Sequence, residues 1–96
     1  MLILRRIMIR WKLRELMARA KITNRELAQY LGVHETSVSR MKNTDKMPRM
    51  DSDSMDALCI ALTKIRLERG IPGQVMPSDL LEFTMDNNEG ESNSDD

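Results

Sequence analysis

The sequence predicts an all-α fold, a compact bundle of about five short helices, on three observations. Apolar residues recur at helical spacing in successive stretches, and capping residues and glycines bracket several of those stretches. Ninety-six residues at 41% hydrophobic content suffice for one modest core. The domain is read over residues 9 to 84, with an N-terminal arm at 1 to 8 and an acidic tail at 85 to 96.

Alternating Ile7, Ile9 and Trp11 suit a short strand, a frayed arm or residues upstream of a start at Met8, with a frayed or edge-strand arm favoured. Ile9, Leu13, Leu16, Met17 and Ala20 fall at i, i+4, i+7, i+8 and i+11, which places the first helix over residues 9 to 20. Trp11 lies off that stripe. It covers the arm, joins a dimer surface or sits half-exposed, and the sequence leaves these three open.

The second helix announces its start twice. Thr23 and Glu26 stand at capping-box spacing, and Ile22 and Leu27 flank them as a hydrophobic staple. Leu27, Ala28 and Leu31 then follow on one face, with the small Ala28 leaving room for a crossing helix. Gly32 stands where a left-handed residue ends a helix, a conformation glycine adopts without steric cost. Val33 is expected to turn back into the core. The third helix, about Glu35 to Asn43, has only Val38 and Met41 as apolar residues, three apart, so one narrow stripe is buried. Glu35, Thr36, Ser37, Ser39, Arg40, Lys42 and Asn43 remain outside, a set of hydrogen-bonding groups suited to base edges and phosphates.

A loop with Lys46, Pro48 and Arg49 follows, and a fourth helix starts at Asp51 or Ser52 and runs through Met55, Leu58, Leu62 and Ile65 toward Gly70. Gly70, Pro72 and Gly73 break the chain. Pro77 suits the first position of a short last helix carrying Leu80, Leu81 and Phe83. Residues 86 to 96 (DNNEGESNSDD) contain no hydrophobic side chain and cannot offset their ordering entropy, so the tail is expected to be disordered.

Residues 22 to 43 (ITNRELAQYLGVHETSVSRMKN) resemble the Cro/C1-type (phage-repressor-like, XRE) helix-turn-helix family, with Ala28, Gly32, Val33, Val38 and Met41 in the places of its motif. Residues 9–20, 47–62 and 77–83 also look like the family's remaining helices, so the likeness covers roughly residues 8 to 84. Asn24 stands where the family often has glutamine, and His34 where it has a serine-like N-cap. The resemblance implies a lambda-repressor-like domain that binds double-stranded DNA, with Glu35, Thr36, Ser37, Ser39 and Arg40 toward bases. It places Thr23, Asn24, Arg25, Lys42 and Asn43 on phosphates. Lys46 and Arg49 lie in a connection that in this family runs close to the DNA backbone. Arg5, Arg6 and Arg10 suit a minor-groove arm less well than they suit a plain frayed end.

Charge distribution agrees with that reading. Residues 1 to 50 hold 12 Lys/Arg against 4 Asp/Glu and residues 51 to 96 hold 3 against 11, so a formally neutral chain divides into halves of +8 and −8. The basic half supplies phosphate attraction, and the acidic half is expected to point away from the duplex. Catalysis has little to work with in one histidine and one cysteine, so no enzyme is expected. His34 lacks a second ligand at metal spacing, and neither metal nor cofactor is implied. Cys59 reads as a small buried hydrophobe suited to a reducing cytoplasm. Met17, Met41, Met50 and Met55 read as gap-fillers in a core short of aromatics. No membrane span or export signal is found. The expectation is therefore a cytoplasmic, nucleoid-associated transcriptional regulator, a repressor acting as a homodimer. The alternative is an antitoxin-type or phage modulator that autoregulates through the same domain and binds a protein partner through its acidic C-terminal region.

Overall fold

Four α-helices and one two-stranded antiparallel sheet make up residues 9–84, the part of the chain that the computed structural model describes. Strand β1 (Ile9–Trp11) leads into α1 (Leu13–Ala20), α2 (Asn24–Leu31), α3 (Glu35–Lys42) and α4 (Ser52–Glu68). A 3-10 turn (Pro77–Asp79) and strand β2 (Leu81–Phe83) close the order. The arm at 1 to 8 and the tail at 85 to 96 lie outside the described residues.

Local chemistry sets most helix ends. Thr23 Oγ1 accepts from the Glu26 N–H at 3.1 Å while Glu26 Oε1 accepts from the Thr23 N–H at 3.0 Å, the reciprocal capping box. Both staple residues, Ile22 and Leu27, are buried. Gly32 takes φ 71° and donates its N–H to the Ala28 carbonyl at 2.8 Å, which ends α2 and fixes the corner before α3. Helix α1 ends with Lys21 left-handed at φ 57°, its N–H on the Ala18 carbonyl and the Ile22 N–H on the Met17 carbonyl. No glycine marked that end in the sequence. Asp51 caps α4 by accepting from the Ser54 N–H at 2.9 Å.

Helix α4 is the keel of the core. Leu58, Cys59, Ala61, Leu62 and Ile65 are buried along it, in one hydrophobic cluster with Leu27 and Ala28 of α2, which packs on it, and with Leu13 and Met17 of α1 and Val38 of α3. Met41, Met50 and Met55 pack against that cluster half-buried, and Met17 is fully inside, the gap-filling use expected of thioethers. Thr63 holds the chain after α4 in place. Its hydroxyl donates to the Cys59 carbonyl at 2.7 Å and accepts from the Val75 N–H at 2.8 Å.

Three expectations need correction. The first helix does not begin at Ile9: residues 9–11 pair with 83–81, Ile9 opposite Phe83 and Trp11 opposite Leu81. The backbone N–H of Trp11 goes to the Asp45 carbonyl and that of Lys12 to the Leu80 carbonyl, both at 2.8 Å, so the extended segment finds its hydrogen-bond partners in distant chain. The fifth helix is likewise absent: Pro77 starts only one 3-10 turn, with Asp79 accepting from the Met76 N–H, and the chain then extends as β2. The fold is thus mostly helical and not purely so. Val33, finally, points outward at 46% exposure, because its backbone N–H joins Gly32 on the Ala28 carbonyl and carries the chain past the core.

Candidate nucleic-acid interface

Helix α3 buries a single residue completely, Val38, while Met41 packs half-buried beside it. Eight residues at 1.5 Å each make a rod about 12 Å long, comparable to the width of a B-DNA major groove. Glu35, Thr36, Ser37, Arg40 and Asn43 are exposed, and Ser39 and Lys42 are half-buried at the edge of that face. Asn43 Nδ2 donates to Ser39 Oγ at 3.3 Å and couples two members of the set. His34, extended at φ −77° and ψ 153°, gives α3 no side-chain cap, so the leading N–H groups of the helix have no side-chain acceptor among the described residues and suit an anion.

The far end of α3 is anchored by a contact that the sequence did not reveal. Trp11, 2% exposed, donates its indole Nε1–H to the Met41 carbonyl at 2.9 Å. The backbone of the same residue holds Asp45, whose carboxylate lies 3.6 Å from Arg14. The half-exposed alternative for Trp11 is therefore wrong. Its one sequence signal was a tryptophan standing off the helical stripe.

Cations divide into two groups. Arg10 bridges Glu15 at 2.7 Å and Glu82 at 2.8 Å, locking β1 against α1 and β2, and Arg69 reaches Glu26 at 2.5 Å. Arg10 holds the Glu15 carboxyl below its ordinary value, and Arg69, followed by the Thr23 backbone, does the same for Glu26. Arg25, Arg40, Lys42, Lys46 and Arg49, in contrast, have no carboxylate within 4.0 Å among the described residues. Arg25, Arg40, Lys46 and Arg49 are exposed, as is Thr23. Asn24 is half-buried, and its Oδ1 has neither accessible surface nor a hydrogen-bond partner among the described residues. Arg10, through its two carboxylates, is engaged in structure.

A glycine-cornered helix pair with a polar, outward second helix is the geometry of a DNA-reading module, and residues 12–63 match the family model described as the Cro/C1-type HTH DNA-binding domain. The chain belongs to this family. Neither curated proteins nor solved structures return a match to it. The Cro/C1-type match spans α1, α2, α3 and the first two-thirds of α4, and it stops before the strand that completes the sheet. The domain is thus a DNA-binding one, with the β1–β2 pairing built around its helix-turn-helix.

Among the described residues, no group of three or more histidine, cysteine and acidic side chains is placed to hold a metal, and no helix is long and apolar enough to cross a membrane. Burial pushes the Cys59 thiol above its ordinary value, away from the reactive thiolate.

Proposed function

We propose that this protein is a sequence-specific transcriptional repressor that inserts α3 into the major groove of double-stranded DNA and binds as a homodimer across a two-fold site. The observation that carries the reading is α3 itself, a helix with one fully buried residue whose remaining face is polar and outward. Thr36, Ser39 and Arg40, flanked by Glu35 and Ser37, reach base edges. Thr23, Asn24 and Arg25 at the start of α2, Lys42 and Asn43 at the end of α3, and Lys46 and Arg49 in the following loop hold phosphates. Asn24 contributes through its amide nitrogen or backbone, since its side-chain oxygen is covered. Ile60 and Leu67, both 55% exposed and seven residues apart on one side of α4, support a self-association surface. The protein works by binding in the cytoplasm, without catalysis.

The test is in vitro selection from random duplexes. A palindromic enriched motif supports site, symmetry and stoichiometry together, and enrichment of no motif overturns the reading. On the enriched duplex, Lys42→Ala is expected to weaken binding to all sequences alike and lower the salt slope by about one unit.

A second reading keeps the same domain and gives the acidic C-terminal half, at −8, a basic protein partner, as in an antitoxin-type modulator. Co-purification of such a partner, lost on deleting residues 86 to 96, distinguishes it.

A further inference from the structure

The C-terminal end of any α-helix leaves its last carbonyls without intrahelical donors. In α3, the Ser39 carbonyl receives the Asn43 N–H at 3.1 Å, and the Met41 carbonyl receives the indole N–H of Trp11. That indole comes from thirty residues away and from a strand outside the family-matched span. The backbone N–H of Trp11 takes the Asp45 carbonyl, four residues further along, so one residue grips the chain at both ends of the segment 41–45. This segment contains Lys42 and Asn43 and leads into Lys46. Trp11 in turn cannot shift independently: it is 2% exposed, its strand is paired with β2, and Arg10 beside it is tied to Glu15 and Glu82.

We infer that Trp11 is a positioning residue for DNA recognition, setting the direction in which α3 leaves the protein surface without itself touching DNA. The inference rests on α3 being the groove-reading helix. A rod about 12 Å long that buries only Val38 fully and packs Met41 half-buried is held by few side chains, and a fixed donor at its far end restrains its direction. Base-edge hydrogen bonds depend on that direction because they are short and angular. Phosphate attraction is long-ranged and tolerates a small tilt. Loss of the indole donor therefore has a signature that simple unfolding lacks: binding to the correct sequence weakens, and binding to arbitrary sequence does not.

The experiment uses the full chain, the duplex enriched by selection and a scrambled duplex of equal length. Trp11→Phe keeps an aromatic ring and removes the donor. It is expected to raise Kd for the enriched duplex about threefold to tenfold, the range of one hydrogen bond, and to leave Kd for the scrambled duplex within about twofold. Because Phe also leaves a gap, a second variant replaces the chain's one tryptophan with benzothienylalanine, which keeps the bicyclic shape and puts sulfur where the N–H stood. The same split between duplexes is expected, with the thermal midpoint near that of the unmodified protein. Equal weakening on both duplexes, or no change on either with the benzothienyl variant, overturns the inference. Thr36→Ala, Ser39→Ala and Arg40→Ala in parallel separate the two levels. If selection yields no motif, or if Thr36→Ala, Ser39→Ala and Arg40→Ala all leave base preference intact, the groove-reading assignment fails and the inference with it. If any of the three changes preference and the benzothienyl variant does not, only the role of Trp11 fails.

Discussion

Helices α3 and α4 meet the same core on opposite terms. The first has eight residues and buries one of them fully, and the second has seventeen and buries five. Burying apolar side chains is the main favourable term in folding, so α4 carries a large share of the stability and α3 little. A polar rod that contributes little to the core can vary its outward residues at small cost, which is what a sequence-reading element needs. Helix α4 cannot. Substitutions in the two helices should accordingly separate into losses of folding and losses of binding.

The hardest test of that separation is Leu62→Ala in α4. Leu62 has no exposed surface and lies within the central cluster, so its truncation removes transfer energy and leaves a cavity. The expected loss is about 2–5 kcal/mol of unfolding free energy, read by denaturant titration. In a domain of this size that is a large fraction of the total. A loss below about 1 kcal/mol would mean that α4 is not the keel.

Arg40→Ala in α3 should show the reverse. Exposed and without a carboxylate neighbour among the described residues, Arg40 contributes little to folding, and the thermal midpoint should stay within the range of ordinary surface substitutions. Binding to the selected duplex is expected to fall by about 1–3 kcal/mol, with preference relaxed at one base pair, the behaviour of a bidentate contact to guanine. Uniform weakening across all sequences would move Arg40 to the phosphates.

Gly32 joins the two behaviours because it sets the corner from which α3 departs. A Cβ there meets nothing within 4 Å, so the cost of Gly32→Ala is conformational, from φ 71°, and not steric. About 1–2 kcal/mol of stability is expected to be lost. Because the corner either holds its turn or relaxes it, specific DNA binding should weaken along with stability. A variant that loses stability and keeps full specificity would show the corner to be only a connector.

How readily each part could be read from the sequence follows from how far apart its determinants lie. Thr23 and Glu26 are three residues apart, Gly32 acts alone, and Asp51 caps a backbone N–H three residues on. Signals of this range are complete within a short window, and the helix pair with its outward residues was legible for that reason. The sheet was legible only in part: the alternation of Ile7, Ile9 and Trp11 suited an edge strand, but its partner did not show, because Ile9 finds Phe83 and Trp11 finds Leu81 across almost the whole chain. Before pairing, Ile9–Ala20 fits a helical stripe and Pro77 fits a helix start, and each segment taken alone is consistent with what it does not become. Trp11 was the one irregularity, and its partners, Met41 and Asp45, are carbonyls that side-chain pattern cannot mark. Lys21 escaped notice for a related reason, being a left-handed residue with no glycine to announce it.

The smallest expected effect bears on the seam between the helix-turn-helix and α4. Glu26 caps α2 and also receives Arg69 from just beyond α4, so one carboxylate ties the two regions together. Glu26→Gln leaves a group that can still close the capping box and removes the charge that Arg69 meets. Arg69, and after it the Thr23 backbone, hold the Glu26 carboxyl below its ordinary value of 4.5. A depressed native value means that the unfolded chain takes up the proton first. The stabilisation is thus present above the unfolded value and lost as pH falls through the lower native one. Both side chains are partly exposed, which limits the gain to less than about 1 kcal/mol near neutrality. The difference in thermal midpoint between wild type and Glu26→Gln should be constant from about pH 7 to pH 5, then close as the solution is acidified. Added salt should narrow it as well. Glu15 and Asp51, also held low, titrate in the same acid region, and taking the difference between the two proteins removes their contribution. A gap that persisted at pH 3 in high salt would show that Gln disturbs the cap itself, and the seam would then be held by the capping geometry of α2 and not by its charge.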